Sequence, residues 1–181
     1  MQSLRGQLLI ATPVLQDPNF QRTVVLIAEH NSEGAMGIVL NRPSEAPVSD
    51  ATPELEPFVD YGAAVHEGGP VQPTAVVVLA EFVQPEPETV LLIDTVGFLP
   101  AGVDLDDLLG NTVRARVFVG YAGWGPGQLE QEIDREDWIL GEPLAHEVFT
   151  DNPEDLWSES LERKGGAYAL LARMPDDPSL N

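Results

Sequence analysis

The segment from Arg22 to Asn41 constrains the fold more than any other stretch of the chain. Arg22 to Glu29 reads Arg-Thr-Val-Val-Leu-Ile-Ala-Glu, a β-branched and aliphatic run of strand length. Asn31-Ser32-Glu33-Gly34 follows as a polar loop ending in a residue free to take positive φ, and Met36 to Leu40 returns as a second apolar run. The pattern predicts a β-hairpin.

Other short apolar runs predict further strands: Gln7 to Ala11, stopped by Pro13; Ala63 to Glu67; Thr74 to Phe82; Thr89 to Asp94; and Thr112 to Tyr121. Trp138 to Leu140 and Ala145 to Phe149 read as a pair of strands around Gly141-Glu142-Pro143. Helical signals are few. Asp104 to Leu109 is a short helix closed by Gly110, and Gln128 to Asp137 places Leu129 and Ile133 on one face. Asn152 and Pro153 open a helix with an apolar stripe of Leu156, Trp157 and Leu161, ended at Lys164-Gly165-Gly166. Pro43, Pro47, Pro53 and Pro57 exclude a long helix from Arg42 to Pro57, which reads as a surface loop with at most one short helical turn. Consecutive hairpin-like strands with few helices make the class α+β, mostly antiparallel. A length of 181 residues fits one domain, residues 1–181, with Met174 to Asn181 as a polar tail.

The charge balance restricts partners. Nine basic residues stand against 30 acidic ones, a formal net charge of −21, and no Lys or Arg occurs between Arg42 and Arg114. Phosphate backbones and anionic lipids are held chiefly by Lys and Arg, so this surface repels both. The acidic residues are spread along the chain, so modest salt is expected to stabilise the fold by screening self-repulsion. Cysteine is absent, which removes disulfides, thiolate metal ligands and a thiol nucleophile. The N-terminal apolar run is broken by Pro13 and Asp17, and no run spans a bilayer; the expectation is a soluble, cytoplasmic protein that does not engage a membrane.

Few residues suggest chemistry. Gly120-Tyr121-Ala122-Gly123-Trp124-Gly125-Pro126-Gly127 precedes a helix, the layout of a phosphate-binding loop. Gln128-Leu129 stands where a phosphate loop needs Lys and Ser or Thr, and Glu130 and Glu132 oppose an anion. The favoured reading is a tight corner in which glycines let Tyr121 and Trp124 pack closely. Arg42 is a salt-bridge partner or, beside the Asn41 amide, a grip for an anionic ligand. His30, His66 and His146 lack metal-ligand spacing and read as structural; no metal or cofactor is called for. No Gly-x-Ser-x-Gly elbow occurs, Asp104-Leu105-Asp106-Asp107 is a helix start rather than a calcium loop, and Glu132 and Glu136 read as a solvated pair.

Two long motifs together carry a family resemblance. The first is Glu29-His30-Asn31-x-Glu33-Gly34-Ala35-Met36-Gly37-Ile38-Val39-Leu40-Asn41-Arg42-Pro43. The second is Gly120-Tyr121-Ala122-Gly123-Trp124-x-x-Gly127-Gln128-Leu129-Glu130-x-Glu132. With Gly68-Gly69-Pro70-Val71, Leu156-Trp157 and the closing Pro178-Ser179-Leu180-Asn181, the chain resembles the YqgE/AlgH family of bacterial proteins of unknown function. The resemblance implies a bifurcated, largely antiparallel sheet curled into a pseudo-barrel with flanking helices. The family often carries the label of transcriptional regulator; the charge here opposes direct DNA contact, so any such role would run through a small ligand or a protein partner.

The first functional reading is a non-catalytic binding or regulatory module in which His30, Asn31, Asn41, Arg42, Tyr121, Trp124, Gln128 and Glu130 line one cleft. The alternative is an enzyme of unknown class, such as a hydrolase, with His30 or a carboxylate as general base; it requires a histidine and a carboxylate within hydrogen-bond reach inside a pocket. Direct DNA binding is the third reading, and the charge speaks against it.

Overall fold

Leu8–Ala11 (β1) is buried along its whole length, as are the first five residues of Val24–Asn31 (β2), and this fixes the layering. Leu8, Ile10, Val24 and Leu26 enter one core while Leu9, Ala11, Val25 and Ile27 enter another on the opposite face. A strand covered on both sides has no polar face, which is why these runs read as continuously apolar. The computed structural model describes residues 2–175, so the closing motif at 178–181 lies outside the described residues.

Gly34–Val39 (β3) completes the expected hairpin. It is followed by Pro43–Pro47 (β4), Ala64–Glu67 (β5), Val71–Phe82 (β6), Leu91–Ile93 (β7), Val96–Phe98 (β8), Thr112–Trp124 (β9) and Trp138–Gly141 (β10). The sheet runs β10-β1-β2-β3-β9-β6-β8-β7. β9 is its branch point: it pairs antiparallel with β6 and with β3, and parallel with β5 at Phe118 and Val119. The architecture is α+β, and the sheet is branched and largely antiparallel. It is open at both ends, so the curl that the resemblance implied stops short of closure.

The first core lies under the helix Leu156–Lys164, whose Leu156, Trp157 and Leu161 are buried, and Trp157 Nε1 donates to the Ala11 carbonyl at 2.8 Å. The second gathers Trp124, Leu129 and Trp138. A third is built around Val48, Leu55, Phe58, Val65, Val78 and Val117.

Four expectations are corrected. Ala145–Val148 is a helical turn rather than a strand: the Glu147 carboxylate accepts from the Leu144 N–H at 3.0 Å and pairs with Arg163 at 2.7 Å, and β10 pairs with β1 instead. Residues 43–58 are not a surface loop, because β4, the turn Val48–Ala51 and the 3-10 segment Pro53–Phe58 carry Val48, Leu55 and Phe58 into the third core. Pro53 opens its helical segment, a position where the missing N–H costs nothing. The 89–94 run is shorter than expected, and β8 beyond it is the partner of β6.

The fourth correction concerns the glycine corner. β9 does not end at Tyr121 but continues to Trp124, passing Gly120 at a φ of +71°. A Cβ at Gly120 would lie 2.3 Å from the Gly69 carbonyl oxygen, and one at Gly69 would lie 2.1 Å from the Tyr121 carbonyl carbon. The two glycines let the 68–70 segment cross β9 in backbone contact, so they serve close packing.

Candidate functional site

The side chains of His30, Asn31, Gln128 and Glu130 at the hairpin tip each have a partner inside the protein. His30 is buried, one residue from the end of β2 and opposite Ala35, which in turn pairs with Trp124. Its Nδ1 accepts the Leu4 N–H at 2.9 Å. A backbone N–H can only donate, so the ring proton resides on Nε2, which donates to Glu130 Oε1 at 2.9 Å. The Glu130 backbone N–H and the His30 ring hold the Glu130 carboxyl below the usual carboxylate range. A histidine and a carboxylate are thus within reach, but the imidazole lone pair that a general base requires is engaged by Leu4.

Its neighbours are equally committed. The Asn31 side chain donates to Glu29 at 3.0 Å and accepts the Glu33 N–H at 2.8 Å, shaping the hairpin loop. Gln128 accepts the Gly125 N–H at 3.0 Å and donates to Glu132 Oε1 at 2.9 Å. Trp124 and Trp138 both donate their indole N–H to Glu132 Oε2, each at 2.8 Å. Glu132 is therefore no solvated helix residue. It ties together the helix Gln128–Asp134 and two buried indoles that pack edge to face at 6.1 Å. The signal in the sequence is two tryptophans flanking a short helix, each needing an acceptor once buried.

The remaining candidates lie elsewhere. Tyr121 packs against the first core and Trp124 lies in the second, so they serve opposite faces of β9. Asn41 sits at the base of the hairpin. There its amide accepts the Val24 N–H at 2.9 Å and donates to the Arg22 carbonyl at 2.8 Å, prolonging the β2 ladder with a side chain. The six residues of β3 separate this end from the tip, about 20 Å along the strand. The structure therefore does not gather the eight residues into one cleft. His30, Asn31, Trp124, Gln128 and Glu130 meet at the tip, and Asn41 and Arg42 lie at the base.

Of the eight, Asn31 and Trp124 line a cavity of about 200 Å³ at the tip, and Arg42 lines a larger one at the base. The Arg42 guanidinium donates to the Pro18 carbonyl at 3.1 Å and to the Gln21 carbonyl at 2.9 Å. The Asp17-Pro18-Asn19 turn presents the first of these carbonyls and is itself closed by the Asn19 N–H on Asp17 Oδ1 at 2.8 Å. The cavity measures about 290 Å³ and is walled by Asn19, Arg42, Glu67, Gly69 and Val119. Two neutral carbonyls orient the guanidinium without cancelling its charge. No carboxylate forms an ion pair with Arg42 among the described residues.

The glycine corner offers no phosphate cradle: the helix after it has seven residues, is capped by Gly127 and carries Glu130 in its first turn. Among the described residues, no three His, Asp or Glu side chains gather as a metal site, and no helix is long and apolar enough to cross a membrane.

Comparison with known proteins gives one consistent answer. The AlgH-like family, DUF179, matches residues 8–169. The chain is similar to a UPF0301 protein of Streptomyces coelicolor, 42% identical over 99% of this chain and 96% of that one. Among solved structures it is similar to protein DIP2367 from Corynebacterium diphtheriae, with a TM-score of 0.87 and 28% identity over 94% of this chain and 92% of that one. It is similar also to the AlgH protein of Pseudomonas aeruginosa, known in solution, with a TM-score of 0.72 and 30% identity over 96% and 95%.

Proposed function

This chain belongs to the AlgH-like family, and from that premise we propose that it is a non-catalytic cytoplasmic binding module whose small ligand occupies the Arg42 cavity. The observation that carries the reading is the guanidinium itself, pinned by two carbonyls on a cavity wall with its charge unspent. The chemistry that fits is a small molecule with one anionic group for Arg42 and hydroxyls for Glu67 and Asn19, such as a sugar phosphate or a hydroxy acid. Any regulatory role then runs through this ligand or through a protein that reads its presence. The net charge of −21 favours such an indirect route over direct contact with DNA.

A thermal-shift titration at fixed ionic strength with sugar phosphates, hydroxy acids and inorganic phosphate tests the reading. One of these should raise the melting temperature saturably, with the gain lost in Arg42→Ala and reduced in Arg42→Lys, which keeps the charge but not the fork. Equal responses in wild type and Arg42→Ala, or none in either, would overturn it.

A further inference from the structure

A second cavity, about 280 Å³, opens where β5 and β9 part company. The two strands pair only at His66–Phe118 and Glu67–Val119; just before this, Ala64 and Arg116 stand on opposite walls. It shares no wall residue with the Arg42 cavity. Its interior holds His66, which is 5% exposed, and the half-buried Arg116. Its rim holds the exposed Asp60, Tyr61 and Asp151.

The charges of this cavity are layered and unmatched. Arg116 donates to the Val148 carbonyl at 3.1 Å and to the Thr150 carbonyl at 2.8 Å, and no carboxylate comes within 4.0 Å of it among the described residues. Burial pushes its guanidinium down from the ordinary value, and Asp151 and Asp60 act on it in the opposite sense from beyond ion-pair distance. His66 brings no charge at neutral pH. Burial and the Arg116 cation lower its pKa to about 4. Its Nδ1–H donates to the Ala64 carbonyl at 3.2 Å, which leaves the lone pair on a buried Nε2 that no protein group meets among the described residues. The cavity thus offers a cation inside and carboxylates at the mouth.

We propose that this cavity binds a small zwitterion of the amino-acid class, with its carboxylate on Arg116 and its ammonium toward Asp60 and Asp151. A plain anion would have to pass two carboxylates, and a plain cation would meet Arg116. A molecule carrying both signs a few bond lengths apart bridges the gap that keeps Arg116 and the aspartates from pairing directly. The volume suits a ligand with a short side chain.

The test is calorimetry and thermal shift on the full chain with glycine, L-alanine and L-serine, against acetate and ethylamine at matched ionic strength. At least one amino acid should bind saturably while neither half-molecule does. Asp60→Asn and Asp151→Asn alter exposed side chains and should each weaken binding by about tenfold, the scale of one lost charge contact. Arg116→Gln should abolish it; because Arg116 also holds two loop carbonyls, the aspartate variants carry the decision. Arg42→Ala should bind the amino acid normally, which separates this site from the first. No saturable response to any of the three amino acids, a response to acetate as large as theirs, or indifference to both aspartate substitutions would overturn the proposal.

Discussion

Replacing Glu132 with alanine takes away one carboxylate and strands three donors. Trp124 and Trp138 are 6% and 3% exposed, and their indole N–H groups share Glu132 Oε2. Each would be left at the edge of the second core without its acceptor, at about 1–3 kcal/mol per unmet donor. Gln128 lies at the surface, so its lost bond to Oε1 adds little. The two indoles share one acceptor and can relax together, so the expected loss is about 2–4 kcal/mol. Glu132→Gln keeps one carbonyl oxygen that can receive both indoles, and should cost about 1 kcal/mol or less, the difference between charge-assisted and neutral bonds. Urea unfolding followed by tryptophan fluorescence measures both, with an unchanged slope required for the comparison to stand. A double-mutant cycle sharpens the attribution. Trp138→Phe removes one of the N–H groups, so in that background Glu132→Ala should cost about 1 kcal/mol less than in the wild type. An alanine variant within about 0.5 kcal/mol of the wild type would refute the reasoning, since that is the range of an ordinary surface change.

The pKa of His66 falls from 6.5 to about 4 on folding, so the unfolded chain takes up the proton first. Its contribution is complete above pH 6.5 and is lost as the pH falls toward 4, by up to about 3 kcal/mol, and His66→Gln should lack that step in its stability-pH curve; parallel acid limbs would contradict this. Gly69→Ala should cost several kcal/mol or prevent folding, because its Cβ meets the Tyr121 carbonyl carbon at 2.1 Å. Gly62→Ala, with a φ of +75° but nothing within 4 Å, should cost only about 1 kcal/mol; equal losses would place the strain in φ rather than in the contact. With a net charge of −21, the melting temperature should rise as NaCl is added from low concentration, and a steady fall would show that self-repulsion is not limiting.

The hairpin was legible because its pattern is local: two apolar runs and a turn need no knowledge of the rest of the chain. The stripe Leu156, Trp157 and Leu161 was legible for the same reason. What escaped depends on distant partners. Ala145 to Phe149 has strand composition, but Glu147 is held by Arg163, sixteen residues later, and that pairing favours a helical turn. Residues 43–58 look like a loop by their prolines, and it takes Val65, Val78, Leu108 and Val117 from distant elements to give Val48, Leu55 and Phe58 a core to enter. The single cleft fails for a different reason. Residues adjacent in a motif need not be adjacent in space: a strand turns Tyr121 and Trp124 to opposite cores, and six residues of β3 keep Arg42 away from His30.

The two motifs that carry the family resemblance meet where β3 lies against β9, and their side chains explain that junction in physical terms. Gly34 allows backbone contact with β9, His30 ties the N-terminal segment to the helix at Gln128, and Glu132 receives two indoles; away from the junction, Gly120 lets the 68–70 segment cross β9 and Asn41 prolongs the β2 ladder. A donor or acceptor spent in this way is not free to bind a ligand without breaking the fold that presents it. Of the motif side chains with charge, Arg42 holds neutral carbonyls and keeps its field directed at a cavity. Arg116, outside both motifs, does the same on the other side of β5. Groups with unspent charge are where a ligand gains most and the fold loses least. The search for a ligand is therefore best aimed at the flanks of β5, away from the junction that identifies the family.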